Sequence, residues 1–203
     1  EIGLFEMTSA GLREAPEGAS VAAGDPRPGS AVCPVVTGSR CMLVEVQALT
    51  ASGFPGALKR RASGIDSNRL AMLIAVLEQH AGLSLHDRDV FASAVGGVRV
   101  GEPAADLALV LAIAGSHQKR ALPAATAVVG EVGLGGEVRP VPQMELRIRE
   151  AARLGYSRLV CPPGTSADVR GIELVHARDV GQAIAELGSA PVRTRTTRPR
   201  TGP

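Results

Sequence analysis

Stretches of alternating apolar residues take turns with stretches of helical spacing along residues 31–187, which predicts a mixed α/β domain. Val32–Val36 and Cys41–Leu49 alternate apolar with small or polar residues around Gly38-Ser39, the pattern of a hairpin. Thr50–Gly64 reads as a loop carrying the basic cluster Lys59-Arg60-Arg61. Leu70, Leu73, Ile74 and Leu77 then share one helical face, with a cap at Asp66 or Ser67 and a stop at Gly82. Asp89–Val100 reads as a strand with a bulge or turn at Gly96-Gly97. Pro103 suits the first turn of a helix, where its missing N–H would have no partner anyway. That helix runs to about Gly115 and is Ala/Leu-rich nearly all round, so it is expected to be buried. Thr126–Val132 reads as a buried strand, Gly133–Gly136 as a turn, Glu137–Val141 as a short strand and Gln143–Leu154 as an amphipathic helix ended by Gly155. Arg158–Cys161, Glu173–His176 and a helix over Val180–Leu187 complete the alternation.

The flanks follow other rules. EIGLFEM at Glu1–Met7 is strand-like, so the chain opens inside a strand-like run without a Met and reads as a piece of a longer protein. Residues 11–30 are rich in Gly, Pro, Ala and Ser and read as a flexible linker. From Gly188 onward apolar periodicity ends, and 188–203 is expected to be a disordered basic tail.

Two runs inside 96–155, GGVRVGEPAADLALVLAIAGS and TAVVGEVGLGGEVRPVPQMELRIREAARLG, resemble the Lon protease domain. That domain has a Gly-Glu strand, a Gly turn, a Val-x-Pro strand and a helix in this order, and a Gly-Pro-Ser-Ala-Gly run that opens its nucleophile helix. Here the Gly-Pro-Ser-Ala-Gly run reads Glu102-Pro103-Ala104-Ala105-Asp106, so Ala104 stands where the serine would be, and counting from Pro140 puts Glu145 where the lysine would be. EPAADLA, GEVGLGGEVRPVPQ and the upstream NRLAMLIAVLE together resemble the C-terminal domain of the bacterial RadA (Sms) DNA-repair family, over Glu1 to about Leu187.

The resemblance implies an α/β (α+β) fold of the Lon-protease type, like ribosomal protein S5 domain 2, over 31–187. It implies that 1–10 ends a RecA-like ATPase core, with LVEVQALT at Leu43–Thr50 near the start of the Lon-like part. It implies a cytoplasmic parent protein with a zinc finger and an ATPase, so that ATP, Mg and Zn belong to parts missing from this chain. The parent would be a hexameric motor of branch migration, with DNA, itself and recombinase filaments as partners. The Lon-like part would be a ring-forming scaffold that touches DNA.

The residues themselves limit the chemistry. A Lon-type peptidase needs a serine hydroxyl and a neutral lysine amine to accept its proton. The methyl of Ala104 cannot attack a carbonyl, and a carboxylate at Glu145 inverts the local charge. The chain's two lysines, Lys59 and Lys119, lie far in sequence from the helix after Pro142, and Ser116 and Ser157 read as surface or turn hydroxyls. An active serine peptidase therefore lacks a nucleophile here. No Gly-x-x-x-x-Gly-Lys-Ser/Thr loop is present, and GLGGE at Gly133–Glu137 reads as a turn, so no ATP site of that type is expected in this chain. Cys33, Cys41 and Cys161 form no C-x-x-C and His80, His86, His117 and His176 have no metal spacing, so no zinc site is expected and the thiols read as reduced. No apolar run approaches the roughly 20 residues that span a bilayer.

Composition changes the picture in two ways. Aromatics are 2% of the chain, so the core must be aliphatic and a base-stacking platform for single strands is not expected. The net charge of +2 includes Arg193, Arg195, Arg198 and Arg200 of the tail, and without them the rest carries −2. Only a local patch can then favour nucleic acid. The candidates are Lys59, Arg60 and Arg61, Arg69 in the first turn of its helix, and Lys119 and Arg120 after the second helix. If they converge they form a phosphate-binding patch that does not read sequence; otherwise they are solvated charges. A cation suits a helix C-terminus, but Arg69 at an N-terminus needs something else to hold it.

Glu102 and Asp106 flank the start of the buried helix, where acids contribute about 0.3–1 kcal/mol each. That suffices for Glu102. Asp106 stays open between this role and a buried carboxylate paired with Arg99 or Arg139, as a remnant site or an intersubunit contact. Arg147, Arg149 and Arg153 are assigned to the polar side of the 143–154 helix, with an i,i+4 pair between Glu145 and Arg149 and possible intersubunit roles. A pure oligomerisation module without DNA contact is the alternative reading.

Overall fold

The computed structural model describes residues 5–8, 11–14, 25–54 and 56–189. Its first strands are β1 (Phe5–Thr8), β2 (Gly11–Glu14), β3 (Ser30–Thr37), β4 (Arg40–Ser52) and β5 (Arg60–Ser63). Helix α1 (Ser67–Ala81), strand β6 (Arg88–Ala94), a 3-10 turn at Pro103–Ala105 and helix α2 (Asp106–Gln118) follow. Four two- or three-residue steps come next: β7 (Arg120–Ala121), β8 (Thr126–Val128), β9 (Glu131–Val132) and β10 (Val138–Arg139). The chain then forms α3 (Met144–Arg153), β11 (Arg158–Cys161), β12 (Glu173–His176), α4 (Val180–Ala185) and β13 (Gly188–Ser189).

The hairpin read from alternation is the centre of the main sheet. Thr37 pairs with Arg40, so Gly38 and Ser39 are a two-residue turn, and Gly38 takes the positive φ of 63° that such turns reserve for glycine. Seven strands lie in the order β12-β11-β8-β3-β4-β6-β5. The pairs β12–β11, β11–β8, β8–β3 and β6–β5 are parallel, while β3–β4 and β4–β6 are antiparallel. The fold is therefore mixed α/β.

Both faces of β3 are covered, which is why five of its consecutive residues are buried. On one face the Cys33 thiol donates to the Ala104 carbonyl at the start of α2. On the other, Tyr156, just after α3, lies with Val32 and Glu45 around a small cleft. Helix α2 is buried from Asp106 to Gly115, as its all-round Ala/Leu composition requires. The core is aliphatic apart from Tyr156, Cys33 and Cys161.

Caps behave as expected for α1: Asp66 accepts from the Arg69 amide at 2.8 Å, and the Gly82 amide closes the helix on the Leu77 carbonyl. Other elements differ from the pattern-based reading. Residues 11–14 pair with β1 rather than belonging to a linker, and 188–189 pair with β7 rather than beginning the tail; residues 15–24 and 190–203 lie outside the described residues. The expected loop over 50–64 is partly strand, because β4 runs on to Ser52 and β5 joins the sheet edge beside β6. Residues 89–100 are strand only to Ala94, with positive φ at Gly96 and Gly97 ending it. Residues 126–132 are broken into β8 and β9, since Gly130 turns its amide to the Ala104 carbonyl at 2.9 Å. A Cβ at Gly130 would stand 2.8 Å from the Val138 side chain, so a larger residue there would force Val138 to shift.

Candidate functional site

The segment that would carry a nucleophile is buried and spoken for. Ala104 is 2% exposed, and its carbonyl accepts from the Gly130 amide and the Cys33 thiol. Glu145 points to solvent in an ion pair with Arg149, as the i,i+4 spacing predicted. Beside this segment is a cleft of about 260 Å³, lined by Val46, Val100 and Leu109 on its apolar side and by Arg69, Glu102 and Asp106 on its polar side. None of its lining residues is Ser, Thr, Cys, His or Lys. The cleft itself therefore offers neither a hydroxyl or thiol to attack a carbonyl nor an amine or imidazole to activate one.

Two partly buried ion pairs fix the start of α2 instead. Arg69 donates Nε to Asp106 Oδ1 at 2.7 Å, a second bond to Oδ2, and a third to the Val132 carbonyl at 2.9 Å. Asp106 also accepts from the Val132 amide at 3.1 Å. Burial pushes its carboxyl above the usual range, and Arg69 and that amide pull against it. The partner of Asp106 is thus Arg69 rather than Arg99 or Arg139; Arg139 is held by Glu137 at the surface. This answers why a cation sits in the first turn of α1: the Asp106 carboxylate and the Val132 carbonyl hold it.

Arg147 makes the second pair. Its side chain is 2% exposed, not on the polar side of α3. Its guanidinium meets both oxygens of Glu102 at 2.8 and 2.7 Å and the carbonyls of Pro34 and Pro142 at 2.6 and 3.0 Å. Burial alone would lower its pKa, but Glu102 outweighs that and the net shift is upward. Glu102 also accepts from the Val36 amide at 2.7 Å, so it ties the hairpin end, the 102–106 segment and α3 together rather than serving as a solvated helix-end acid. Arg147 makes its hydrogen bonds inside the chain. The signal was in the sequence: Arg147 falls in the stripe 144, 147, 148, 151, whose other members are apolar. Of the three α3 arginines only Arg149 and Arg153 face solvent, Arg153 paired with Glu150 at 2.7 Å.

The remaining basic candidates lie outward. Among the described residues β5 is the last strand of the sheet, and no strand pairs with its outer edge. Lys59, Arg60 and Arg61 are exposed there, and none of their side chains has an ion-pair partner among the described residues. The Lys59 amide donates to Asp89 at 2.8 Å, which anchors the start of the strand. Lys119 is exposed as the C-terminal cap residue of α2, and Arg120 is held by Gln118 and the Leu187 carbonyl. Ser116 accepts from the Thr50 amide at 2.9 Å, and Thr50 shares a cross-strand row with Val90 and Arg60. The C-terminus of α2 and β5 are therefore at the same end of the sheet, about 10 Å apart across two strand spacings.

Among the described residues no helix is long and apolar enough to cross a membrane, and no three His, Cys, Asp or Glu side chains are grouped to hold a metal. All three cysteines are buried, and burial raises Cys41 and Cys161 to about 11 and Cys33 further.

Fold and site together define a mixed α/β domain in which ion pairs fix the start of α2 and exposed cations lie on a sheet edge. No protein-family model matches the chain. It is 43% identical over 192 residues to the DNA repair protein RadA of Haemophilus influenzae, covering 92% of this chain and 42% of that protein. It is 48% identical over 165 residues to DNA repair protein RadA of Salmonella typhimurium (80% and 36%), and 39% identical over 189 residues to that of Aquifex aeolicus (92% and 43%). The chain is RadA-like, and it spans about two fifths of the length of the curated relatives it matches.

Proposed function

We propose that this chain is a non-proteolytic module of a DNA repair protein, with a Lon-like (S5 domain 2-like) fold over about 31–187. It contacts the DNA backbone and supports a ring of subunits. The observation that carries the DNA contact is the run Lys59-Arg60-Arg61 on the free edge strand β5, exposed and unpaired among the described residues. Cations placed this way bind phosphates without reading bases. Lys119 and Arg120 extend the patch at the same end of the sheet. The loss of peptidase function rests on Ala104, which has no nucleophilic atom, and on Glu145, whose carboxylate is turned to solvent. The similarity to DNA repair proteins named RadA supports the repair role.

In this reading the parent protein is a cytoplasmic, ATP-driven hexamer of branch migration that works with recombinase filaments, and ATP, Mg and Zn act in parts outside this chain. Oligomerisation without DNA contact is the second reading, in which the β5 cations only guard the sheet edge against pairing with other strands. Fluorescence anisotropy with duplex DNA at low and moderate salt separates the two, using the chain with and without 190–203 and light scattering in parallel. Salt-sensitive binding that survives removal of the tail and drops with Arg60→Ala/Arg61→Ala is the expected result. Binding that depends wholly on the tail favours the scaffold alone. Turnover of a fluorogenic peptide by the unaltered chain would overturn the non-proteolytic reading.

A further inference from the structure

Glu45 is a charged residue buried on the main sheet, 6% exposed in β4. Its contacts all fall on one oxygen. Ser30 donates to Oε1 at 2.5 Å and Gln47 at 2.8 Å, and the exposed Arg27 guanidinium stands 3.5 Å from it. Oε2 has no partner among the described residues. Tyr156 is 3% exposed, and its hydroxyl also has no hydrogen-bond partner among the described residues. Burial, and after it the Glu45 charge, push that hydroxyl upward, so the two groups feel each other. Both residues line a cleft of about 50 Å³, together with Asp25, Arg27, Ser30 and the buried Thr126. A buried polar atom left unpaired is costly, and here two of them border one space.

We propose that this cleft is a monovalent-cation site, in which Glu45 Oε2 and the oxygens of Tyr156 and Thr126 hold one sodium or potassium ion. The lining offers lone pairs rather than donors. Ser30 spends its hydrogen on Glu45 and Thr126 spends its own on the Ala124 carbonyl at 3.5 Å. Oxygen ligands of this kind suit hard cations. Asp25 and Glu45 against Arg27 leave one negative charge at the cleft, which a monovalent ion balances and a divalent ion would reverse. The space admits an ion with a water or two, at roughly 10–15 Å³ for each water. It is far below the roughly 300 Å³ that an organic ligand needs. Water alone would pair the same atoms but leave the buried charge facing Arg27 alone at 3.5 Å. The ion would tie together four pieces of chain: the segment before β3, β4 itself, the connection from β7 to β8 and the turn after α3. The site is independent of the DNA-contacting reading above.

The chain has one Tyr and no Trp, so tyrosine emission reports on this cleft directly. The test titrates the 203-residue chain with KCl and with NaCl, against choline chloride at constant ionic strength. The expected result is a saturable change of emission with potassium or sodium and none with choline. The midpoint of thermal unfolding rises by about 3 °C or more at saturation. Glu45→Gln removes both responses. Tyr156→Phe removes the thermal response but unfolds within about 2 °C of the unaltered chain in choline, because the hydroxyl it loses had no protein partner. If Glu45→Gln does not fold, Tyr156→Phe, which keeps the ring, decides alone. Equal emission and equal midpoints in the three salts mean that the cleft holds water only, and overturn the proposal. A potassium or sodium response that persists in Tyr156→Phe places the ion elsewhere and overturns it too. So does a Tyr156→Phe variant that is destabilised equally in all three salts, since its hydroxyl then bonds without an ion.

Discussion

Arg69 and Arg147 point inward, while Lys59, Arg60 and Arg61 point outward, although all five are cations in an apolar-rich chain of small net charge. The inward pair uses its planar forks on carboxylates and backbone carbonyls at the start of α2. The outward group has no acidic partner among the described residues and sits where the sheet ends. The difference separates structural from available charge. A buried arginine fixes the fold and offers a ligand little; an exposed, unpaired one adds little stability and keeps its donors open.

Substitution should sharpen that contrast. The largest effect is expected from Arg147→Ala, which strands Glu102 and two carbonyls and costs about 3–5 kcal/mol in urea unfolding. Loss of less than about 1 kcal/mol would show that solvent reaches this site and that the pair is not structural. Arg69→Ala is expected to cost about 3 kcal/mol by leaving Asp106 without its cation. The double variant Arg69→Met/Asp106→Leu should lose less than Arg69→Ala alone, and a simple sum of the two single losses in a double-mutant cycle would contradict the coupling. Arg60→Ala/Arg61→Ala should leave stability within about 0.5 kcal/mol and lower the salt slope of DNA binding by about two units. A slope that does not move places the phosphates elsewhere. The smallest change belongs to the cysteines. With Cys41 and Cys161 raised to about 11, only roughly one part in a thousand is thiolate at pH 8, so thiol labelling should be slow until the chain is unfolded. Rapid labelling of the folded chain would mean that β3, β4 or β11 opens locally.

Much of this architecture was readable from residues. Alternation placed β3 and β4 around Gly38, the 3.6-residue repeat placed α1 with its Asp66 and Gly82 caps, and all-round Ala/Leu content marked α2 as buried. β5 was read as loop because RRAS carries no apolar alternation and gains its strand form by pairing with β6. The break of 126–132 was missed because Val129 and Gly130 leave the strand to meet Val160 and Ala104, which are distant in sequence. For the site, the Glu145–Arg149 pair was plain in the chain. The partner of Asp106 was not, because Arg69 reaches it from another helix, 37 residues away.

The sequence by itself determined where helices and strands can form, that the core is mainly aliphatic and that residues 102–106 carry no hydroxyl, thiol or amine, because periodicity, side-chain size and functional groups are local properties. Tertiary structure decided which charges are buried and which are free, which edge the basic run occupies and which of the few aromatic rings meets solvent. Those outcomes depend on contacts between residues far apart in the chain, where burial makes an unpaired charge costly and water leaves an exposed one nearly unaffected.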